Sequence, residues 1–178
     1  MPLLKTPNFF NNEIFIFISE DGDMAIRLKS LLLAFSFFSA VPVLAQPANF
    51  GTLTLGSNNS AGALNGSTGG ATSLPAIVSN SDRHDKKCLG FGDSNPDHLL
   101  VLQKPFSKLK LKVNSGDQET TIVIKGSDNS VRCGDNANSS NKGAVLEDGD
   151  WQAGTYQVWV GSIEPGVRQS YRLTVQGN

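Results

Sequence analysis

Residues 108–113 alternate strictly: Leu109, Leu111 and Val113 are apolar, and Lys108, Lys110 and Lys112 stand between them. A period of two marks a strand with one face buried and the other in water. The same reading predicts other short strands. Phe50–Leu55 alternates, Ser73–Val78 is a weaker candidate, and Asp97–Leu102 is a compact apolar run. Thr120–Lys125 is β-branched almost throughout, and Ser130–Cys133 follows a Gly-Ser-Asp-Asn turn at 126–129. Gly154–Gly161 is rich in strong strand formers, and Val167–Gln176 places Tyr171, Leu173 and Val175 on one face. Gly56–Gly70, Asn80–Lys87 and Gly134–Lys142 read as loops, because they are Gly, Ser, Asn or charge from end to end.

After residue 45 no apolar pattern of helical period runs beyond about two turns. Roughly eight short strands separated by Gly/Asn/Asp turns predict an all-β fold, an antiparallel β-sandwich or jelly roll. A parallel sheet needs long crossovers, usually helical, and no helical crossover is visible in the pattern.

The first 45 residues have a different character. Met24–Lys29 is a short basic segment, Ser30–Leu44 is apolar, and Val43-Leu44-Ala45 places small residues where a signal peptidase reads. That order predicts a signal peptide over 24–45, cleaved before Gln46. Its apolar run is short of the roughly 20 residues of a membrane span. Residues 1–23 form an upstream extension, expected to reflect a misassigned start with Met24 the true one; the alternative is a real extension that delays export. The expected destination is the periplasm or the medium, with no membrane span left after cleavage. The exported part then divides into residues 46–87, holding the first strands and a Gly/Ser/Asn-rich loop, and residues 88–178, holding the sandwich core, with a whole domain over about 49–177.

Charge and cysteines narrow the picture. Removing Lys5, Arg27, Lys29, Glu13, Glu20, Asp21 and Asp23 from the chain's 15 basic and 16 acidic residues leaves 12 of each. A balanced charge argues against nucleic acid as the partner, which would call for a marked basic excess. Both cysteines, Cys88 and Cys133, lie in the exported part, where an oxidising compartment favours their pairing. Two cysteines cannot fill a four-ligand zinc site alone. Two buried free thiols are the structural alternative.

Cys88-Leu89-Gly90-Phe91, Pro96-Asp97-His98, Pro105-Phe106, the Thr120–Ile124 strand with Gly126-Ser127-Asp128, Arg132-Cys133-Gly134-Asp135 and Ala153–Gly161 together resemble the bacterial pre-peptidase C-terminal domain family. The Gly-Thr-Tyr-Gln-Val-Trp-Val-Gly strand is the most specific piece. The resemblance covers about residues 88–176, here as a stand-alone copy. It implies a jelly-roll-like β-sandwich with an accessory role in secretion or attachment, sometimes calcium-assisted.

Candidates for chemistry are few. Asp135, Asp148 and Asp150, with Asn136, Asn138 and Glu147 nearby, are hard oxygen donors that suit calcium, and equally the ordinary residues of turns. No other cofactor is expected. His84 sits in a charged loop and is expected to be solvated. Asp97 and His98 could orient a serine nucleophile, but neighbours on a strand point to opposite faces and no Gly-x-Ser-x-Gly turn exists, so structural hydrogen bonds are expected of His98. Lys108, Lys110 and Lys112 would make a basic stripe able to meet an anionic glycan, or simply a solvated face that discourages edge pairing. Trp159 and Trp151 are candidates for stacking on a sugar ring or a partner; if a loop covers the face that Trp159 shares with Gln157, that ring is core.

These features predict a non-catalytic exported module, binding or accessory, whose partner is an extracytoplasmic protein or polysaccharide. The alternatives are a structural or inhibitory envelope protein and a small secreted hydrolase.

Overall fold

The computed structural model describes residues 47–138 and 141–178. The expected signal peptide and upstream extension lie outside the described residues. The elements in chain order are β1 Gly51–Leu55, β2 Ala61–Ser67, β3 Thr72–Ser73, α1 Leu74–Ile77, β4 Phe91–Gly92, β5 His98–Leu102 and β6 Phe106–Asn114. They continue with β7 Thr120–Gly126, β8 Val131–Asn138, β9 Asn141–Trp151, β10 Gly154–Ser162 and β11 Ser170–Gly177.

The all-β expectation holds, with eleven strands among the described residues rather than about eight. They pair in the order β1-β5-β10-β7-β8-β9-β6-β11-β2, and the short β3 and β4 attach beside β10. Two layers result, and β8 carries the chain between them. Its residues Val131–Gly134 pair with β7, while Asp135, Asn136 and Asn138 pair with β9 across a register shift. The path nearly closes into a barrel: Leu53 of β1 packs into the space that Gly62 of β2 leaves, without ladder hydrogen bonds between the two strands.

One expectation is corrected. The sheet is mixed, because β1 runs parallel to β5, from Gly51 opposite His98 to Leu55 opposite Leu102. No helical crossover makes this connection. The chain leaves for the other layer as β2, returns through β3, α1 and β4, and only then enters β5.

Three segments differ from their sequence reading. Ala61–Ser67, read as loop, is a strand because β11 offers it a full antiparallel partner from Ser67 opposite Ser170 to Ala61 opposite Gln176. Ser73–Val78, read as strand, is a two-residue bridge and one helical turn, started where Pro75 fits the first turn without an amide hydrogen. Gly134–Lys142, read as loop, continues β8 to Asn138 and begins β9 at Asn141.

The core lies between the layers. Leu100, Ile122, Ile124, Val158 and Val160 from one meet Leu109, Leu111, Val113, Leu146, Leu173 and Val175 from the other. Taking apolar surface out of water stabilises by roughly 25 cal/mol per Å2, and this cluster is the main stabilising element. A second, smaller cluster lies on the outer side of the first layer: Leu74, Cys88, Val123, Cys133 and Trp159.

Candidate functional site

The outer face of the β10-β7-β8 layer is built by register. Trp159 sits opposite Val123, and Val123 opposite Cys133, so the three form one cross-strand row. The segment from Thr68 to Gly92 lies over that row. Cys88 bonds Cys133, with Cα atoms 5.3 Å apart, which answers the cysteine question in favour of the disulfide. Leu74 of α1 fills the other end. It can approach because Gly161, next outward after Trp159 on β10, has no side chain: a Cβ there would lie 2.8 Å from Leu74 Cδ1 and 2.9 Å from the Phe91 carbonyl oxygen. Trp159 is 5% exposed and Trp151 0%. The stacking role considered for them is replaced by packing: apolar residues of the strap cover Trp159, and Trp151 is buried in the main core with the Arg132 guanidinium on its ring.

Further along the strap, a hairpin turn docks on the end of the barrel. Arg83 forks across two acceptors: Nη1 donates to the Gly149 carbonyl at 3.2 Å and Nη2 to Asp150 Oδ2 at 3.1 Å. His84 Nε2 lies 3.1 Å from Asp148 Oδ1, so a residue expected to be merely solvated is half-exposed and hydrogen-bonded. Arg132, buried on β8, completes the group. Its Nε lies 2.8 Å from Asp148 Oδ2, its Nη2 donates to the Asp150 carbonyl at 3.2 Å, and its guanidinium stacks 4.1 Å from the Trp151 ring centre. Burial alone would raise Asp148, but the Gly149 amide, His84, Arg132 and Arg83 outweigh it and hold its carboxyl below the ordinary aspartate range.

The calcium candidates are therefore placed as follows. Asp148 and Asp150 face cations rather than one another. Asp135 lies on β8, where its carboxylate accepts the Asn136 amide at 2.8 Å. Among the described residues no group of three or more His, Cys, Asp or Glu side chains is arranged to hold a metal ion. The side chain of Asn138 lies outside the described residues.

Asp97 and His98 take different partners, as alternation demands. The β5–β10 ladder ends at His98 opposite Val158, and the Asp97 carboxylate extends it, accepting the Val160 amide through Oδ2 at 2.7 Å. Desolvation pushes Asp97 up to about 7, against the lowering effect of the Val160 and Asn49 hydrogen bonds. His98 is fully buried in the main core, with Nε2 2.9 Å from the Tyr171 hydroxyl and its ring against Phe50 and Tyr171. Desolvation pulls it down to about 4 and holds the Tyr171 hydroxyl well above its usual range, Asp97 adding to the latter. The two side chains serve packing and ladder closure, and among the described residues the side-chain partner of His98 is the Tyr171 hydroxyl, not a serine.

The opposite layer has an open outer face. Along β6 and β11 burial alternates residue by residue from Leu109 and from Ser170, so Lys110 and Lys112, and Arg172, Thr174 and Gln176, all point to water. Beside β2 these residues line a shallow depression of about 510 Å3 whose far wall is Ala61, Gly62 and Ala63. Lys108 and Lys110 both reach Glu147 of β9, the latter at 3.2 Å, which lowers that carboxyl. Among the described residues Lys112 and Arg172 have no ion-pair partner. No family model, curated protein or solved structure matches the chain. The open face is therefore read from its own residues. The lysine stripe was legible in the sequence, while Arg172 was not, since only the β6–β11 register brings it beside Lys112.

Proposed function

We propose that this chain is an exported, non-catalytic binding module of the kind its resemblance to pre-peptidase C-terminal domains implies, and that it meets its partner with the outer face of the β6-β11-β2 layer. The observation that carries the reading is the contrast between two outer faces. One is buried under a disulfide-linked strap, and the other is a polar, cationic surface with a shallow depression of about 510 Å3. The Cys88–Cys133 bond supports an oxidising destination, periplasm or medium. The partner is an extracytoplasmic protein or polysaccharide.

The test is capture from envelope and culture-medium fractions by the full chain with its disulfide intact. A component is expected to be retained and to be lost when Lys112 and Arg172 are both changed to Gln. Retention of nothing by the wild-type protein would overturn the reading.

A further inference from the structure

Resting on that reading, we infer that the ligand of the open face is a linear anionic polysaccharide, bound along a row of four cations. Lys108, Lys110 and Lys112 occupy alternate positions of β6 and so project from one side, about 7 Å apart. Arg172 on β11 lies opposite Asn114, the next outward position of β6. The row therefore continues onto the neighbouring strand and spans about 20 Å. Among the described residues Glu147 is the one acid ion-paired with it, bridging Lys108 and Lys110 at one end. The four cations and their bridging acid keep an excess of three positive charges, while the part of the chain after Ala45 holds equal numbers of acids and bases. The charge is segregated, and some of the balancing acid sits in a separate depression among Asp117, Glu119 and Glu164.

The shape fits a chain rather than a compact ligand. The depression beside β2 shares Lys110 and Gln176 with a second one, of about 230 Å3, that runs on to Lys108 and Asn178. Together they make an elongated shallow track. Between the cations stand groups that hydrogen-bond to hydroxyls, Thr174 and Gln176, and the far wall is the small side chains of Ala61 and Ala63. The chemistry disfavours two other partner classes. A protein interface has an apolar, aromatic-rich centre, and the large apolar side chains exposed among the described residues, Phe50, Ile77, Leu89 and Ile163, all lie outside β2, β6 and β11. Single-stranded nucleic acid is held by aromatic rings that stack on its bases, and the outward positions of these three strands carry none.

The experiment is affinity electrophoresis of the full chain, disulfide intact, in gels containing alginate, dextran sulfate or neutral dextran. Retardation is expected with alginate or dextran sulfate and not with dextran; the two anionic arms separate carboxylate from sulfate-ester recognition. Raising the salt from about 50 mM to about 500 mM should abolish it, because exposed charges are then screened within a few Å. Lys112→Gln with Arg172→Gln should weaken retardation at least tenfold, and Lys86→Gln with Lys87→Gln, on the strap, should leave it unchanged. Equal retardation of the Lys112/Arg172 variant, retardation by dextran, or stronger binding to single-stranded oligonucleotide than to either glycan would overturn the inference. If no polyanion binds but the chain still captures an envelope component, this inference fails and the binding-module reading stands. If nothing is captured in either experiment, both fail.

Discussion

The two outer faces of this molecule are made by the same kind of strand and have opposite fates. On β7 burial is continuous from Thr120 to Ile124, and on β10 from Val158 to Ser162, because both sides of these strands are covered. On β6 and β11 burial alternates over most of their length, because one side is wet. The outward residues explain the difference. Trp159, Val123 and Cys133 would cost free energy in water, so a strap and a disulfide cover them. Lys110, Lys112, Arg172, Thr174 and Gln176 have no such cost, and the same outward geometry becomes a surface free to meet a partner. A sheet face in this fold stays open where its outward side chains remove the need for a cover.

Trp159 is where that contrast should break most severely. Trp159→Ala is expected to cost about 3–5 kcal/mol, the range for emptying a large aromatic site, read as a fall in the denaturant midpoint. A loss below about 1 kcal/mol would mean the strap does not pack on it.

Next in size is the disulfide. Its ends lie 45 residues apart, and closing such a loop constrains the unfolded chain by roughly 4 kcal/mol at most. Reduction or Cys133→Ser should lower stability by about 2–4 kcal/mol and raise proteolysis between Thr68 and Gly92 before any cleavage of β6 or β11. Cleavage beginning in the open layer would contradict the assignment of the strap as the tethered element.

The buried pair at the start of β5 gives a subtler effect. In the folded chain Asp97 keeps its proton up to about pH 7, whereas its ordinary value is 3.8; alone, this makes stability fall as pH rises between those values. His98 loses its proton near 4 instead of 6.5, so alone it makes stability rise over that interval. From about pH 4 to 6.5 the folded state holds the proton on Asp97 and the unfolded state holds it on His98. The proton count is the same and the two slopes cancel. The His98→Gln profile should therefore fall between pH 4 and 7, and the Asp97→Asn profile rise between 4 and 6.5, each by at most about 1.4 kcal/mol per pH unit, where wild type stays flat from 4 to 6.5. Denaturant melts across this range decide it; parallel profiles in all three proteins would mean that the pair titrates normally.

The smallest effect belongs to the open face. Lys112→Gln with Arg172→Gln should change stability by no more than about 0.5 kcal/mol, since neither side chain is buried or ion-paired. A larger loss would make these residues structural and would weaken the functional contrast between the faces.

The sequence by itself determined the all-β class and the strands whose own residues carry the signal. β6 and β11 are legible from alternation, β5, β7 and β10 from dense apolar or β-branched runs, and the lysine row from its spacing. The cysteine pairing was also legible, from the number of thiols and the expected compartment. Tertiary structure decided the rest, because the deciding interactions are between residues far apart in the chain. Ala-Gly-Ala-Leu-Asn-Gly-Ser at 61–67 has no strand pattern of its own; it is a strand because β11 pairs with it and because Gly62 and Gly66 leave room for Leu53 and the Tyr171 ring. The parallel β1–β5 pair leaves no local trace, since direction is fixed only when the chain returns from the other layer. Whether Trp159 stacks on a ligand or lies in a core depended on what covers it, and Leu74 and Cys88, contributed from 85 and 71 positions earlier in the chain, settled that. Burial is a property of the assembled faces, and a residue's own neighbours in sequence do not say what will cover it.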